Sequence, residues 1–415
     1  MTTPPTHPGT APTRPRTEPS HPRTAPTPAG RVPLWVGTYP VAGAGTPAGL
    51  GEGIWLVDLD PVDGTLHDAR QVVESPSPSF VLPHPAGGVL YAVDESQEGT
   101  VTLFAVEAGG LRALATVGSG GAYPCHLALD EDGRTLLVAN YASGTLGVLP
   151  LAADGTFDAE VLETGGPVQV FGHAGSGPVA DRQEGPHAHF AVTAPGERHV
   201  LVVDLGTDEV RRYARDPRTR RLAPAGIAAT LPAGTGPRHL AFSDDGAWAY
   251  VVGELDGAVH VLAWDARTAT GTVATSVRTT ADGRRPGATT DLQVSRTGAD
   301  AGGATAPSSL GAPVVLDGDR LLVGVRGADV IAEHRTDPVP GGPGLRHRAD
   351  HPLPGSWPRH HAVVAGWVVV AQQVDGGLVA LAPDGSVVGG ASVPAPTCVA
   401  PARRRSSRAH PSASA

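Results

Sequence analysis

The sequence contains no lysine, so all 31 of its basic residues are arginine. A Schiff-base mechanism, which needs a side-chain amine, is thereby excluded. It has two cysteines, Cys125 and Cys398, too few for a disulfide framework, and a reducing, cytoplasmic setting is the expectation. It lacks a net basic surface, since the formal charge is −10 and the pI near 5.9. Binding to nucleic acid, which requires cations to displace the counterions of phosphates, is therefore not expected. The first thirty residues hold no apolar run, so they read neither as a secretory segment nor as a membrane span, and no membrane partner is expected.

What is abundant is glycine (55) and proline (41) among 415 residues, with 40% hydrophobic and 17% charged. Both residue types weaken helix interiors and mark turns, which points to an all-β chain with ample material for a core. Residues 1–30 (Pro/Thr-rich) and 402–415 (Arg/Ser-rich) read as disordered tails. Between them, 31–401 reads as one domain, interrupted by a Thr/Ala/Gly/Ser-rich loop insertion at 282–309.

A repeat runs through that domain. One short apolar strand recurs seven times: Leu34–Tyr39, Leu90–Glu95, Leu136–Tyr141, Val200–Leu205, Trp248–Glu254, Leu321–Arg326 and Trp367–Gln372. Asp-Gly turns such as Asp132-Gly133 and Asp245-Gly246 precede several copies, and a second alternating strand follows most of them. The copies lie about 50 residues apart with no long amphipathic helix between them, the spacing of propeller blades. The expected fold is a seven-bladed β-propeller of four-stranded antiparallel blades. A stack of β-sandwiches would also give many short strands but does not account for the shared three-part unit.

The third part of the unit is a proline-led strand, as in Pro78-Ser79-Phe80, Pro124-Cys125-His126, Pro186-His187-Ala188-His189, Pro237-Arg238-His239, Pro358-Arg359-His360 and Pro396-Thr397-Cys398. Proline can open a strand but not sit inside a central one, and the first strand of each blade lines the channel. Stacking these starts places Cys125, His126, His187, His189, Arg238, His239, Arg359 and His360 around one mouth, joined by Asn140, Tyr141, Glu254 and Arg326. Apolar residues would fill a purely structural channel at lower cost, so the ring reads as a site.

Arginine offers fixed bidentate donors to carboxylate or phosphate and stabilises a developing oxyanion. Histidine near neutral pH can take a proton from water, and a carboxylate such as Glu254 can orient it or act as the base. The ring therefore suits water attack on the activated carbonyl of an anionic substrate. Each member also has a structural reading: a lone His126 or His360 can be a hydrogen-bonded core residue. His187 and His189, two apart on a strand, would face one side, yet no further Cys or His at regular spacing completes a zinc site, and no metal or cofactor is expected. Cys125 beside His126 imitates a nucleophile–base pair without a third group. Gly175-Ser176-Gly177-Pro178 lacks the lysine and helix of a phosphate loop and reads, with Asp181-Arg182-Gln183, as an ordered loop over the mouth from which Arg182 can either reach an anion or stand as a solvated surface arginine.

In their order along the chain, Val36-Gly37-Thr38-Tyr39, Pro124-Cys125-His126, Val138-Ala139-Asn140-Tyr141, Arg182-Gln183, Pro186-His187-Ala188-His189, Gly236-Pro237-Arg238-His239 and Glu254-Leu255 resemble the propeller-type lactonase family. That family holds seven-bladed 6-phosphogluconolactonases and fungal carboxy-muconate lactonising enzymes. The resemblance implies a cofactor-free propeller whose active-site histidine, arginines and glutamate fall on His187 or His189, Arg238, Arg326 and Glu254. The chain departs from the family at Gly324-Val325-Arg326-Gly327, where Ser-Asn-Arg-Gly is usual, and at Leu310-Gly311-Ala312-Pro313, where an acidic residue is usual. The resulting expectation is hydrolysis of a small anionic sugar lactone, 6-phosphogluconolactone first, with Arg238, Arg326 and Arg182 on the anion and His187 or His189, backed by Glu254, activating water. His126, His239, Arg359, His360, Asn140 and Tyr141 would contact substrate. The alternatives are a muconate-type cycloisomerase and a non-catalytic binding scaffold. A monomer or weak dimer is expected.

Overall fold

The computed structural model describes residues 30–39, 53–108, 110–281, 310–317, 319–339, 342–375 and 377–402. The insertion at 282–309, and the two tails except Gly30 and Ala402, lie outside the described residues. What is described forms seven four-stranded antiparallel sheets, the blades of a propeller, and one short helix, Ala159–Thr164. The seven-bladed reading of the repeat therefore holds.

Six blades run outward in chain order from an inner strand. These inner strands are Val81–Pro83 in blade 2, Pro124–Leu129 in blade 3, Ala188–Thr193 in blade 4, Pro237–Phe242 in blade 5, Leu310–Asp317 in blade 6 and Pro358–Val364 in blade 7. Blade 1 is composite: its inner strand, Pro396–Pro401, comes from the far end of the chain and pairs with Val32–Thr38. Closing the ring this way removes the open junction that a linear array of sheets would leave.

The apolar runs of the repeat are the second strands, and their alternation explains the core. In blade 3, Leu136 and Val138 pack towards blade 2, with Tyr91, Val93 and Leu103. Leu137 and Ala139, on the opposite face, pack towards blade 4, with Val200 and Val202. A strand covered on both faces reads as a continuous apolar run because successive side chains serve different neighbours. Seven buried clusters result, one at each junction of adjacent blades around the whole circle. The outermost strands, such as Gly110–Gly118, are largely exposed or half-buried.

The inner strands share an irregularity that positions the site. Strand pairing jumps from Pro124 to His126, from Ala188 to Phe190, from Pro237 to His239 and from Pro358 to His360. One residue is left out of the ladder each time: Cys125, His189, Arg238 and Arg359. In blade 1 the same jump, Cys398 to Pro396 opposite Gly37 and Thr38, leaves out Thr397. A bulge frees a residue from the in–out alternation and re-aims its side chain. Here all five bulged residues turn to a single cavity on the axis.

Candidate active site

The cavity is lined by Ser79, Phe80, Glu95, Cys125, His189, Arg238, His239, Arg359, His360 and Thr397. Its water-sized space is about 20 Å³, room for about one water molecule. Six blades contribute to it.

On one side stands Glu254, just past the second strand of blade 5 and fully buried. Its Oε1 accepts from Arg182 Nη2 at 2.5 Å, and its Oε2 accepts from Arg238 Nη1 at 2.9 Å and Arg326 Nη2 at 2.6 Å. Burial opposes ionisation of this carboxyl, but the guanidiniums of Arg326, Arg238 and Arg182 prevail and hold its pKa well below the usual range. Arg326 is itself completely buried, its guanidinium 5.6 Å from the centre of the Trp357 ring. Burial lowers its pKa to about 9, against the pull of Glu254.

Arg238 Nη1 also bonds His189 Nε2. Because a guanidinium can only donate, this nitrogen of the imidazole must accept, which leaves the hydrogen on Nδ1. That Nδ1 is buried and without a hydrogen-bond partner among the described residues. Burial, reinforced by the charge of Arg238, holds the His189 pKa well below that of a free imidazole, so the ring is neutral. His239 packs against Phe190 and His189, and burial together with Arg238 keeps it neutral as well.

Across the cavity a second pair meets: Arg359 Nη2 lies 3.5 Å from Glu95 Oε1, with the Arg359 guanidinium over the ring of Tyr39. Glu95 occupies in blade 2 the place that Glu254 occupies in blade 5. Each directly follows its second strand and donates its backbone N–H to the residue preceding the inner segment, Glu95 to Ser77 and Glu254 to Gly236. Glu95 was absent from the ring read from the sequence. Its signal was there, in the repeat copy Leu90–Glu95 that ends where Trp248–Glu254 ends.

Not every expected residue reaches the cavity. His187 precedes its strand instead of sharing it with His189, so the i, i+2 argument does not describe the pair. Its ring stacks on Tyr141 at 4.5 Å, with Nδ1 3.0 Å from the Tyr141 carbonyl and Nε2 3.2 Å from Glu184. Tyr141 Oη accepts from Arg182 at 3.5 Å. Asn140 donates its amide to the Ser119 carbonyl and Thr145 Oγ1, both at 3.2 Å, tying blade 2 to blade 3. His126 and His360 act as paired braces: each Nδ1 accepts a backbone N–H from the next inner strand, Ala191 and Val399 respectively, both at 3.3 Å. Burial pushes both imidazoles down to about 3. Burial instead raises the Cys125 thiol far above its usual value, and its sulfur faces the carbonyls of Ala188 and His189. It is not a poised thiolate.

Arg182 arrives on the loop read as a cover. Gln183, fully buried, anchors it by donating to Leu205 O and Asp208 Oδ1 and accepting from Val179 N. The loop lies so close to blade 4 that a Cβ on Gly206 would stand 1.8 Å from the Gly185 carbonyl, which requires glycine there. Among the described residues, no three His, Cys, Asp or Glu side chains gather as a metal site needs.

This propeller, with His189, Arg238 and Arg359 turned to one cavity by repeated bulges and Glu95 and Glu254 beside them at the ends of second strands, has the architecture of a lactonase-type propeller. The chain belongs to that family: the model of the seven-bladed β-propeller lactonases matches residues 33–401. It is similar to the 6-phosphogluconolactonase of Bacillus subtilis (strain 168), 31% identical over 234 residues, which are 56% of this chain and 62% of that one. The 6-phosphogluconolactonase of Formosa agariphila is 29% identical over 223 residues, 51% and 60% of the two chains. The chain thus spans about three fifths of the length of these curated relatives. Among solved structures, the periplasmic gluconolactonase of Pseudomonas aeruginosa superimposes with a TM-score of 0.74 at 26% identity, covering 90% of this chain and 99% of that one. A Lactobacillus plantarum protein gives 0.73 at 27% identity, covering 89% and 98%. Among the described residues no helix is long and apolar enough to cross a membrane.

Proposed function

We propose that the protein hydrolyses a small anionic lactone, with 6-phosphogluconolactone as the first substrate to offer. The observation that carries this reading is the set of bulged residues His189, Arg238 and Arg359, aimed from three blades at one buried cavity. Buried guanidiniums recognise an anion and stabilise charge developing on a carbonyl oxygen far better than they would in water. The unpartnered Nδ1–H of neutral His189 is a preformed donor for that oxygen. Arg326 touches Glu254 and serves by holding it in place, while Arg182 covers the same carboxylate from the loop.

Pockets that bury small molecules are usually about 300 Å³ or larger. Entry of a lactone therefore requires side chains lining the cavity to move. Both cysteines are buried and unbridged, which suits a cytoplasmic setting.

The test is proton release, in excess of spontaneous ring opening, on adding 6-phosphogluconolactone, compared with a sugar lactone lacking the phosphate. A clear preference for the phosphorylated compound is expected. Equal rates would remove the anion from the reading, and no excess release with any lactone would remove the enzyme. A carboxy-muconolactone offered in parallel separates hydrolysis from cycloisomerisation.

A further inference from the structure

We propose that Glu95 is a catalytic residue of this hydrolase: its carboxylate takes the proton from the attacking water and returns it to the ring oxygen of the lactone. The inference rests on the hydrolase reading and assigns the proton-transfer role that reading leaves open.

The choice follows by comparing the groups that could carry a proton in the cavity. Glu254 has both oxygens committed to three guanidiniums, and protonating it would leave buried cations uncompensated. His189 spends its accepting nitrogen on Arg238. His126 and His360 each spend Nδ1 on a backbone N–H, and burial beside Arg238 holds the His239 imidazole far below the range in which it would carry a proton. The Cys125 thiol faces carbonyls and is held protonated.

Glu95 differs from all of these. It lines the cavity, its side chain is 10% exposed, and its one ion pair, to Arg359, is long at 3.5 Å. Its Oε2 is buried beside the Ser79 hydroxyl, with no well-aligned hydrogen bond to it among the described residues. A buried carboxylate oxygen without a well-aligned hydrogen bond is costly and rare in a folded protein. A water or substrate hydroxyl donating to it would remove that cost. Burial also raises the Glu95 pKa, opposed chiefly by Arg359, which moves a carboxylate towards the range useful for proton transfer near neutrality. The charged and titratable groups facing it are Tyr39, Cys125, Arg238 and Arg359, from blades 1, 3, 5 and 7.

The chemistry balances without another reactant. As the water oxygen bonds to the carbonyl carbon, Glu95 takes one of its protons and the carbonyl electron pair moves to the oxygen, beside Arg238. When that pair returns, the bond from carbon to ring oxygen breaks, and Glu95 delivers its proton to the departing oxygen. The product is a hydroxy acid, whose new carboxyl then ionises into solvent, and Glu95 is again a carboxylate.

The experiment compares the full-length wild type, Glu95→Gln, Glu95→Asp and Arg359→Ala on 6-phosphogluconolactone from pH 5 to 8, corrected for spontaneous opening. Glu95→Gln is isosteric and still offers an acceptor to Arg359. It is expected to lose about 100-fold or more in kcat, with KM changed less than about threefold and an unchanged thermal midpoint. The wild-type kcat should fall on the acid side of a pKa above the ordinary carboxylate range, and Glu95→Asp should keep such a limb at reduced rate. Arg359→Ala, by removing the opposing cation, should move the limb to higher pH, an effect that a merely structural Glu95 would not produce. A Glu95→Gln protein with wild-type kcat, a loss confined to KM, or an acid limb unmoved in Arg359→Ala overturns the assignment. Wild type without turnover instead overturns the hydrolase reading and this inference with it.

Discussion

Blade 5 and blade 2 place a glutamate at the same point of the repeat, and the two carboxylates differ in what surrounds them. Glu254 meets Arg182, Arg238 and Arg326 within 2.9 Å. Glu95 forms one ion pair, with Arg359 at 3.5 Å, and has the Ser79 hydroxyl beside it and Arg238 farther off. The first pKa is driven well down by its cations and the second is pushed up by burial. One backbone position thus yields a permanent anion that organises arginines and, on the opposite wall, a carboxylate with an uncommitted oxygen. Environment, not residue type, divides the roles.

The strongest way to break this contrast is to neutralise Glu254. Glu254→Gln leaves three largely buried guanidiniums around a neutral amide, and removing one member of a buried ion network costs about 3–5 kcal/mol. A much lower thermal midpoint is expected, together with lost activity. A midpoint equal to wild type would show that the arginines find other compensation. Next in size is Arg238→Ala, which removes a donor from both Glu254 and His189. A loss on the order of 100-fold in kcat/KM is expected for a buried oxyanion donor, with circular dichroism unchanged. Wild-type kcat/KM in this variant would take Arg238 out of the reaction.

The contrast also marks how far the sequence could be read. The seven apolar second strands were legible because a strand buried on both faces is written as an unbroken apolar run, as in Leu136–Ala139. Six of the seven channel-lining strands were legible from their prolines, and Leu310–Asp317 of blade 6 was not. The bulges were not: nothing in Pro237-Arg238-His239 states that Arg238 drops out of the ladder, because a bulge is a property of the pairing and not of one strand. For the same reason His187 and His189 read as one face, although a loop and a bulge separate them. The Arg238, Arg326 and Glu254 cluster was legible from the family likeness together with repeat position. The sharing of Glu254 among three guanidiniums depends on side-chain reach across blades, which no local pattern encodes.

A smaller effect belongs to the bracing histidines. Both His126 and His360 have folded pKa values lowered to about 3, against about 6.5 in the unfolded chain. Between those values the unfolded state binds the proton and the folded state does not, so stability falls as pH drops from about 6.5 towards about 3. One pH unit below 6.5, each histidine costs about 1 kcal/mol. His126→Asn and His360→Asn, which keep an acceptor at the place of Nδ1, should each flatten the pH dependence of the thermal midpoint between pH 6.5 and 5. An unaltered slope in both would mean that these imidazoles gain protons without unfolding.

The least effect is expected where an ion pair looks as good as those of the site but lies outside. Arg221 Nη2 meets Glu160 Oε1 at 2.6 Å, the distance at which Arg326 meets Glu254, yet its two side chains are 40% and 50% exposed. Water already solvates these charges in the unfolded chain and continues to do so in the folded one, so little is gained by bringing them together. Arg221→Ala also forfeits a bond to the Val168 carbonyl at 3.0 Å, which sets an upper rather than a lower bound on what the ion pair contributes. A change under about 1 kcal/mol is expected, with kcat untouched. High salt should shrink the ion-pair part further, since exposed charges are screened and buried ones are not. If Arg221→Ala cost as much as Glu254→Gln, distance and not burial would govern these pairs, and the division of labour between Glu254 and Glu95 would lose its physical basis.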